Sequence, residues 1–367
     1  MKVAIRADAS LQIGTGHVMR CMTLADELTA RGAQCQFLCR AHEGNLIEFI
    51  RGKGYIVHAL PLEHQASAGP IDILPESPPL AHSHWLGTTQ AKDAADCAPI
   101  LATQRPDWLI VDHYALDEHW ESALASHYRK LLVIDDLADR AHNADLLLDQ
   151  NWHGEQTAYR YDERVPSRTI KLLGPHFALL KPEYSRLRVL MPPRDGMVGR
   201  VLVFLGGSDP TNQSEKVLKT LSANEFSGLL VDVVIGVNHP DPDGMASLAA
   251  LRPATVLHRN LPSLAGLMAR ADLMISAGGS TTWERMCLGL PCLAISIESN
   301  QTATQHALMK AGYSDFLGHM GEVDDKVIAQ ALSRALQSPA RLIQQSISCQ
   351  LLVDGQGAKH VAQHLFK

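Results

Sequence analysis

From its first residues the chain alternates short apolar runs with segments of helical spacing, and this alternation constrains the fold more than any other feature. Residues 3–6, 36–39 and 56–59 read as strands, and 19–30 and 46–53 read as helices. Parallel neighbours need a crossover connection, so strands and helices in alternation predict a parallel sheet covered on both faces. Apolar runs at 108–111 and 131–134 continue the sheet and end in Asp112 and Asp135-Asp136. Ligands of such folds bind at the carboxyl ends of the strands. The rhythm then restarts, with runs at 201–205, 229–235, 255–258, 273–276 and 292–295. A chain of 367 residues is too long for one ordinary core, which stops growing near roughly 250–300 residues. The expectation is an α/β protein of two doubly wound, Rossmann-like domains facing a cleft.

The stretch MPPRDGMVG at 191–199 combines Pro, Gly and charge and marks the boundary, giving domains 1–190 and 200–367. Residues 326–350 and 358–366 have helical periodicity, and the last helix is a candidate to pack back on the N-terminal domain. Residues 67–89, with several Pro, Ser, Gly and His, interrupt the pattern as a long loop.

Composition excludes several function classes. The chain is 46% hydrophobic and 20% charged, without the roughly 18 uninterrupted apolar residues of a membrane span. MKVAIRAD at the start runs straight into a strand pattern and lacks a secretory h-region, which leads to a cytoplasmic expectation. Seven cysteines with no C-x-x-C pair outline neither a disulfide framework nor a zinc site. A net charge of −6 and a pI near 6.3 lack the basic footprint of a nucleic-acid binder. Eighteen histidines show no H-E-x-x-H spacing, so no metal is expected, and no cofactor either.

Three motifs carry chemistry. Gly14-Thr15-Gly16-His17-Val18-Met19-Arg20 follows the first strand and opens a helix. Two glycines permit a tight turn and close ligand approach, while the helix start supplies free N–H groups. An imidazole, with an ordinary pKa near 6.5, suits His17 to general-base work at neutral pH. The third glycine and following acidic strand end of a dinucleotide fingerprint are missing, which disfavours nicotinamide chemistry. Gly206-Gly207-Ser208-Asp209-Pro210-Thr211-Asn212 follows the first strand of the second domain and offers N–H and hydroxyl donors to phosphate or sugar. After the strand 273–276, Gly278-Gly279-Ser280-Thr281-Thr282 forms an anion-binding turn at a helix start. Glu284 lies one helical turn beyond Ser280, where a carboxylate can accept both hydroxyls of a ribose. Asn300-Gln301 is a further candidate for sugar contact.

Taken together, residues 6–20 (RADAS-x-x-IGTGHVMR), 111–114 (VDHY), 134–136 (IDD), 174–181 (GPHFALLK), 204–212 and 275–284 make the chain resemble the UDP-2,4-diacetamido-2,4,6-trideoxy-β-L-altropyranose hydrolases of pseudaminic acid biosynthesis. These are relatives of inverting glycosyltransferases of the GT-B fold. The 275–284 motif is shared with the UDP-GlcNAc transferase of lipid II synthesis and is specific only for UDP-sugar binding. The resemblance implies a GT-B protein in which His17 activates water, Tyr114 lies near the substrate, and Asn212, Ser280, Glu284 and Gln301 occupy nucleotide-sugar positions. Gly14, Gly16 and Arg20 of the first motif, with Gly207 and Gly279, complete the implied substrate-binding set. The implied partners are a UDP-sugar and its UDP product, the reaction an inverting cleavage of the anomeric C–O bond without metal. Two alternatives stay open: a glycosyltransferase that uses His17 on an acceptor hydroxyl, and a sensor that binds without turnover. The 67–89 stretch is longer than in the shortest members of the family.

Overall fold

The computed structural model describes residues 1–62, 80–207 and 209–367, except the side chains of Ser299 and Asn300. Of the stretch expected as a long loop, 67–79 lies outside the described residues. Its end carries a short 3₁₀ turn, Ser83–Leu86.

Two compact units divide the chain. The first comprises Met1–Asn151, Gln156–Leu179 and Gly357–Lys367. Its strands are β1 (Lys2–Ala7), β2 (Gln34–Arg40), β3 (Ile56–Leu60), β4 (Trp108–Asp112), β5 (Lys130–Ile134), β6 (Leu146–Asp149) and β7 (Ile170–Leu173). They form one sheet in the order β3-β2-β1-β4-β5-β6-β7, with every neighbour parallel. Successive side chains point to opposite faces. Val3, Ile5 and Ala7 therefore pack with Val18, Cys21, Leu24 and Leu28 of the helix Gly16–Ala30, whereas Ala4 packs with Leu101, Leu109, Val111 and Trp120 on the other face. Burial on both faces explains why these strands read as continuous apolar runs. The helix Gly357–Leu365 closes the first face with Val361, Ala362 and Leu365, and Trp108 Nε1 donates to the Leu365 carbonyl at 2.9 Å.

The second unit comprises Trp152–Glu155 and Leu180–Gln356. Its strands are β8 (Arg200–Phe204), β9 (Leu230–Ile235), β10 (Thr255–Arg259), β11 (Leu273–Ala277), β12 (Cys292–Ser296) and β13 (Asp315–His319). They make a second parallel sheet in the order β10-β9-β8-β11-β12-β13. Val201, Val203, Val231, Val233, Ile275 and Leu293 anchor its core.

The structure divides the chain differently from the composition-based boundary. The helix Pro182–Leu190, assigned from sequence to the first domain, belongs to the second unit. Its Tyr184 is buried there, and Arg188 donates to the carbonyls of Cys287 and Val353 at 3.1 and 3.0 Å. The Pro-Gly stretch at 191–199 thus ends that helix before β8 and does not separate the units. Residues 357–367, numbered with the second domain but expected from sequence as a candidate to pack back on the first, do pack in the first unit, because their apolar face completes its core. The 326–350 periodicity resolves into two helices, Asp325–Leu336 and Pro339–Leu352, because proline starts a helix far more readily than it continues one.

Candidate functional site

In each unit the functional motifs fall where the strand order reverses. In the first sheet that point lies between β1 and β4, from which the order runs outward in both directions. Connections leaving the carboxyl ends of two such strands diverge and open a crevice. The loop after β1 is built on Ser10, whose Oγ accepts from the Gln12 and Ile13 backbone N–H groups at 3.1 and 2.9 Å. Gly14 donates its N–H to the Ser10 carbonyl at 2.9 Å with φ at 76°, in the left-handed region that favours glycine. Gly16 then begins the helix that carries His17 and Arg20, and among the described residues, apart from its own neighbours and helix backbone, no atom stands within 4 Å of where a Gly16 Cβ would lie.

His17 is buried, and its Nδ1 lies 2.5 Å from Asp112 Oδ1 at the end of β4. Arg20 donates to the same carboxylate twice, from Nε to Oδ2 at 2.6 Å and from a terminal nitrogen to Oδ1 at 2.7 Å. Its other terminal nitrogen donates to Asp136 Oδ2 at 3.1 Å. Burial alone would raise the Asp112 carboxyl, but the Arg20 guanidinium and then His17 overcome it and hold Asp112 well below the ordinary carboxylate range. An ionised carboxylate only accepts, so the proton of this contact sits on Nδ1 and His17 Nε2 is left as a base. Tyr114 donates its hydroxyl to Asp136. Burial, and after it the charge of Asp136, raise the Tyr114 phenol and keep it a donor. The Tyr114 ring meets the His17 ring edge-on, with centroids 4.6 Å apart, and stacks on Trp85 at 5.6 Å. Beneath these groups Asp8 accepts from Arg6 at 2.5 and 2.8 Å and from the Arg40 backbone N–H at 2.7 Å, a fully buried pairing that neutralises the polar strand ends.

In the second sheet the order reverses between β8 and β11. The turn after β8 places Gly206 at φ 101° and Asn212 at φ 52°. The Asp209 carboxylate accepts from the backbone N–H groups of Gln213 and Ser214 at 2.9 and 2.8 Å and so starts the helix Gln213–Leu221. Asn212 Nδ2 donates to Glu215 at 2.8 Å, while its buried Oδ1 has no partner among the described residues. Gly207 lies beneath the turn after β9: a Cβ on Gly236 would fall 1.9 Å from the Gly207 carbonyl oxygen.

After β11, Gly278 is confined by Gln301 and Gln305, whose Cβ and Cγ would lie 3.1 and 2.9 Å from an added Cβ. Gly279 meets only the end of the Gln301 side chain, at 4.0 Å. Gln301 Oε1 accepts from the Ile297 N–H at 3.1 Å, so that side chain braces the turn after β12. Ser280 is exposed ahead of the helix Thr281–Cys287. Glu284, on that helix, is partly buried and accepts from the Tyr184 hydroxyl. Burial raises its carboxyl to about 7, with Glu183 adding to the rise and Tyr184 and Lys181 opposing it.

No protein-family model matches the chain. Solved structures match it end to end. MurG of Acinetobacter baumannii superposes with a TM-score of 0.68 at 12% identity, covering 100% of this chain and 99% of that one. Arabidopsis thaliana UGT89C1 complexed with UDP-L-rhamnose superposes with a TM-score of 0.64 at 11% identity, covering 99% and 98%. The fold is that of the GT-B glycosyltransferases. Among curated proteins, an uncharacterized protein of Methanocaldococcus jannaschii, MJ1062, is 23% identical over 323 residues, 86% of this chain and 58% of that protein. The spore coat polysaccharide biosynthesis protein SpsG of Bacillus subtilis is 30% identical over 189 residues, 50% of this chain and 54% of that protein. The chain thus spans little more than half the length of these two relatives. It is also similar to the UDP-2,4-diacetamido-2,4,6-trideoxy-beta-L-altropyranose hydrolase of Campylobacter jejuni, 24% identical over 316 residues, 85% of this chain and 98% of that protein.

Within this GT-B fold, Gly14, Gly16, His17, Arg20 and Tyr114 come together at the first switch point. Gly207, Asn212, Gly279, Ser280, Glu284 and Gln301 lie on connections that follow strands of the second sheet. Sequence reasoning missed Asp112 as the partner of His17, although the acidic end of that strand was visible. It also missed Asp136 and Trp85, and Tyr184 as the partner of Glu284. Among the described residues no helix is long and apolar enough to cross a membrane.

Proposed function

We propose that this protein is an enzyme that binds a UDP-linked sugar and cleaves its anomeric C–O bond with water, releasing UDP and the free sugar with inversion. The observation that carries the reading is the His17–Asp112 pair at the switch point of the first sheet, which leaves an imidazole nitrogen free to take a proton. The substrate proposed is UDP-2,4-diacetamido-2,4,6-trideoxy-β-L-altropyranose, supported by the name of the Campylobacter jejuni relative. His17 Nε2 takes the proton of a water attacking the anomeric carbon, and Asp112 stabilises the imidazolium as it forms. UDP is a good leaving group, so donors of the 278–282 turn suffice to hold its departing charge. Glu284 takes the ribose hydroxyls, with Asn212 and Gln301 as further nucleotide-sugar contacts. No step needs a metal ion, and the protein is proposed to work in the cytoplasm.

The second reading, a transferase passing the sugar to an acceptor hydroxyl, is favoured by the presence of CalG4, the calicheamicin glycosyltransferase, among the structural neighbours. Incubation with a panel of UDP-acetamido sugars separates the two. Hydrolysis gives UDP without any acceptor and persists in EDTA, and His17→Asn cuts kcat by at least about 10²-fold while UDP still binds. In ¹⁸O water the UDP stays unlabelled, because carbon is attacked rather than phosphorus. UDP release only on addition of an acceptor would establish the transferase, and label in UDP would sink both.

A further inference from the structure

Arg20 belongs to the motif that the sequence assigns to substrate binding, yet its side chain is only 11% exposed. All three guanidinium nitrogens are engaged: two on Asp112, at 2.6 and 2.7 Å, and one on Asp136, at 3.1 Å. Asp112 is fully buried, and each of its oxygens accepts from Arg20, with Oδ1 also facing His17 Nδ1 and Oδ2 accepting from Cys21 Sγ at 3.5 Å. Asp136 turns its other oxygen to the Tyr114 hydroxyl, and the Tyr114 ring returns to the edge of His17. The five side chains form a closed circuit in which Arg20 touches both carboxylates.

We propose that Arg20 is a positioning residue for the base: its planar fork fixes Asp112 so that Oδ1 receives the His17 Nδ1 proton, and its charge balances the two carboxylates, Asp112 and Asp136, that it holds beside the imidazole. The inference rests on the reading of His17 as the base. A bidentate guanidinium holds a carboxylate in one plane, which an ammonium does not. The other titratable or charged groups that face His17 are Tyr114 and the buried His113 after β4, and His82 from the 80–86 segment. Arg140 stands 5.9 Å from the Tyr114 ring centre but is spent on Asp135 and Asp139. Among the described residues Arg20 is therefore the cation that touches Asp112.

The test follows the acid limb of the kcat/KM profile for the UDP-sugar and, independently of turnover, the NMR titration of the His17 imidazole, assigned by its loss in His17→Asn. In Arg20→Gln the limb and the imidazole midpoint both move upward by about one pH unit, a tenfold effect below the limb, while KM and UDP affinity stay within about twofold. Arg20→Lys keeps the limb near its wild-type position and loses kcat, since charge survives and the fork does not. Asp136→Asn moves the limb the other way, because the whole Arg20 charge then faces Asp112; this variant keeps the test open should Arg20→Gln fail to fold. An unmoved limb in both charge variants, or a tenfold weaker UDP affinity in Arg20→Gln, would overturn the proposal and return Arg20 to substrate contact. A wild-type protein that consumes no UDP-sugar would refute the functional reading alone, since the imidazole titration still judges Arg20.

Discussion

Glu284 is the residue whose surroundings most directly set a measurable quantity. Its carboxyl titrates near neutrality because burial disfavours the charge and the Tyr184 hydroxyl compensates only in part. Ribose hydroxyls hydrogen-bond best to the ionised form. Binding of UDP should therefore release a proton from Glu284 between about pH 6 and 8, and affinity should rise with pH across that window by about three- to tenfold. The sign follows from the direction of the shift: below about 7 the free protein holds the carboxyl neutral and must lose that proton before it accepts two donors. UDP carries its own titrating phosphate, so the measure is the difference between wild type and Glu284→Gln in calorimetric titrations at several pH values. A wild-type slope no steeper than that of Glu284→Gln would remove the ribose role.

At the scale of elements, the turns after β8 and β9 meet through close backbone contact at Gly236 and Gly207 as well as through the buried side chains of His239 and Asp209, 3.8 Å apart. An added methyl group at Gly236 would lie 1.9 Å from the Gly207 carbonyl oxygen and 2.7 Å from its Cα, and backbone atoms cannot rotate away as a flexible side chain can. Gly236→Ala must displace the 206–212 turn, so we expect a Tm lowered by several degrees and UDP affinity weakened by about tenfold or more. Gly266→Ala is the control. That glycine sits within the helix Ala265–Arg270 with nothing within 4 Å of the added carbon, and alanine there should be neutral or stabilising by up to about 1 kcal/mol. Equal losses in the two variants, read by thermal unfolding and UDP titration, would mean that the 206–212 turn does not depend on this contact.

For the molecule as a whole, the last eleven residues by number belong with the first, because the helix Gly357–Leu365 packs against Gly16–Ala30, the helix that carries His17. Leu365 is 3% exposed and Val361 is fully buried. Leu365→Ala should cost about 2–4 kcal/mol, the usual range for truncating a buried leucine, while UDP affinity is retained because the proposed nucleotide contacts lie in the second unit. Chemical denaturation followed by tryptophan fluorescence gives the first quantity and calorimetry the second. A stability loss below about 0.5 kcal/mol would show that the terminal helix does not support the first core.

What the sequence determined by itself is local. Strand and helix periodicity, the glycine turns and the ligand-bearing ends of strands are written in residues a few positions apart, and from them both sheets, the His17 motif and the 278–284 motif were legible. Strands β6 and β7, of four residues each, were too short to stand out from their flanks, and β13, Asp315–His319, is half-buried along its length and carries Asp, Gly and His in place of an apolar run. Only the tertiary structure decided the partners. Arg20 meets Asp112 across 92 residues and Asp136 across 116, and no spacing rule says which of several acidic strand ends will face which helix start. The same limit governs the helices Pro182–Leu190 and Gly357–Leu365. Only the second is read as a helix from its own periodicity, and which core either completes depends on apolar surface supplied by distant parts of the chain.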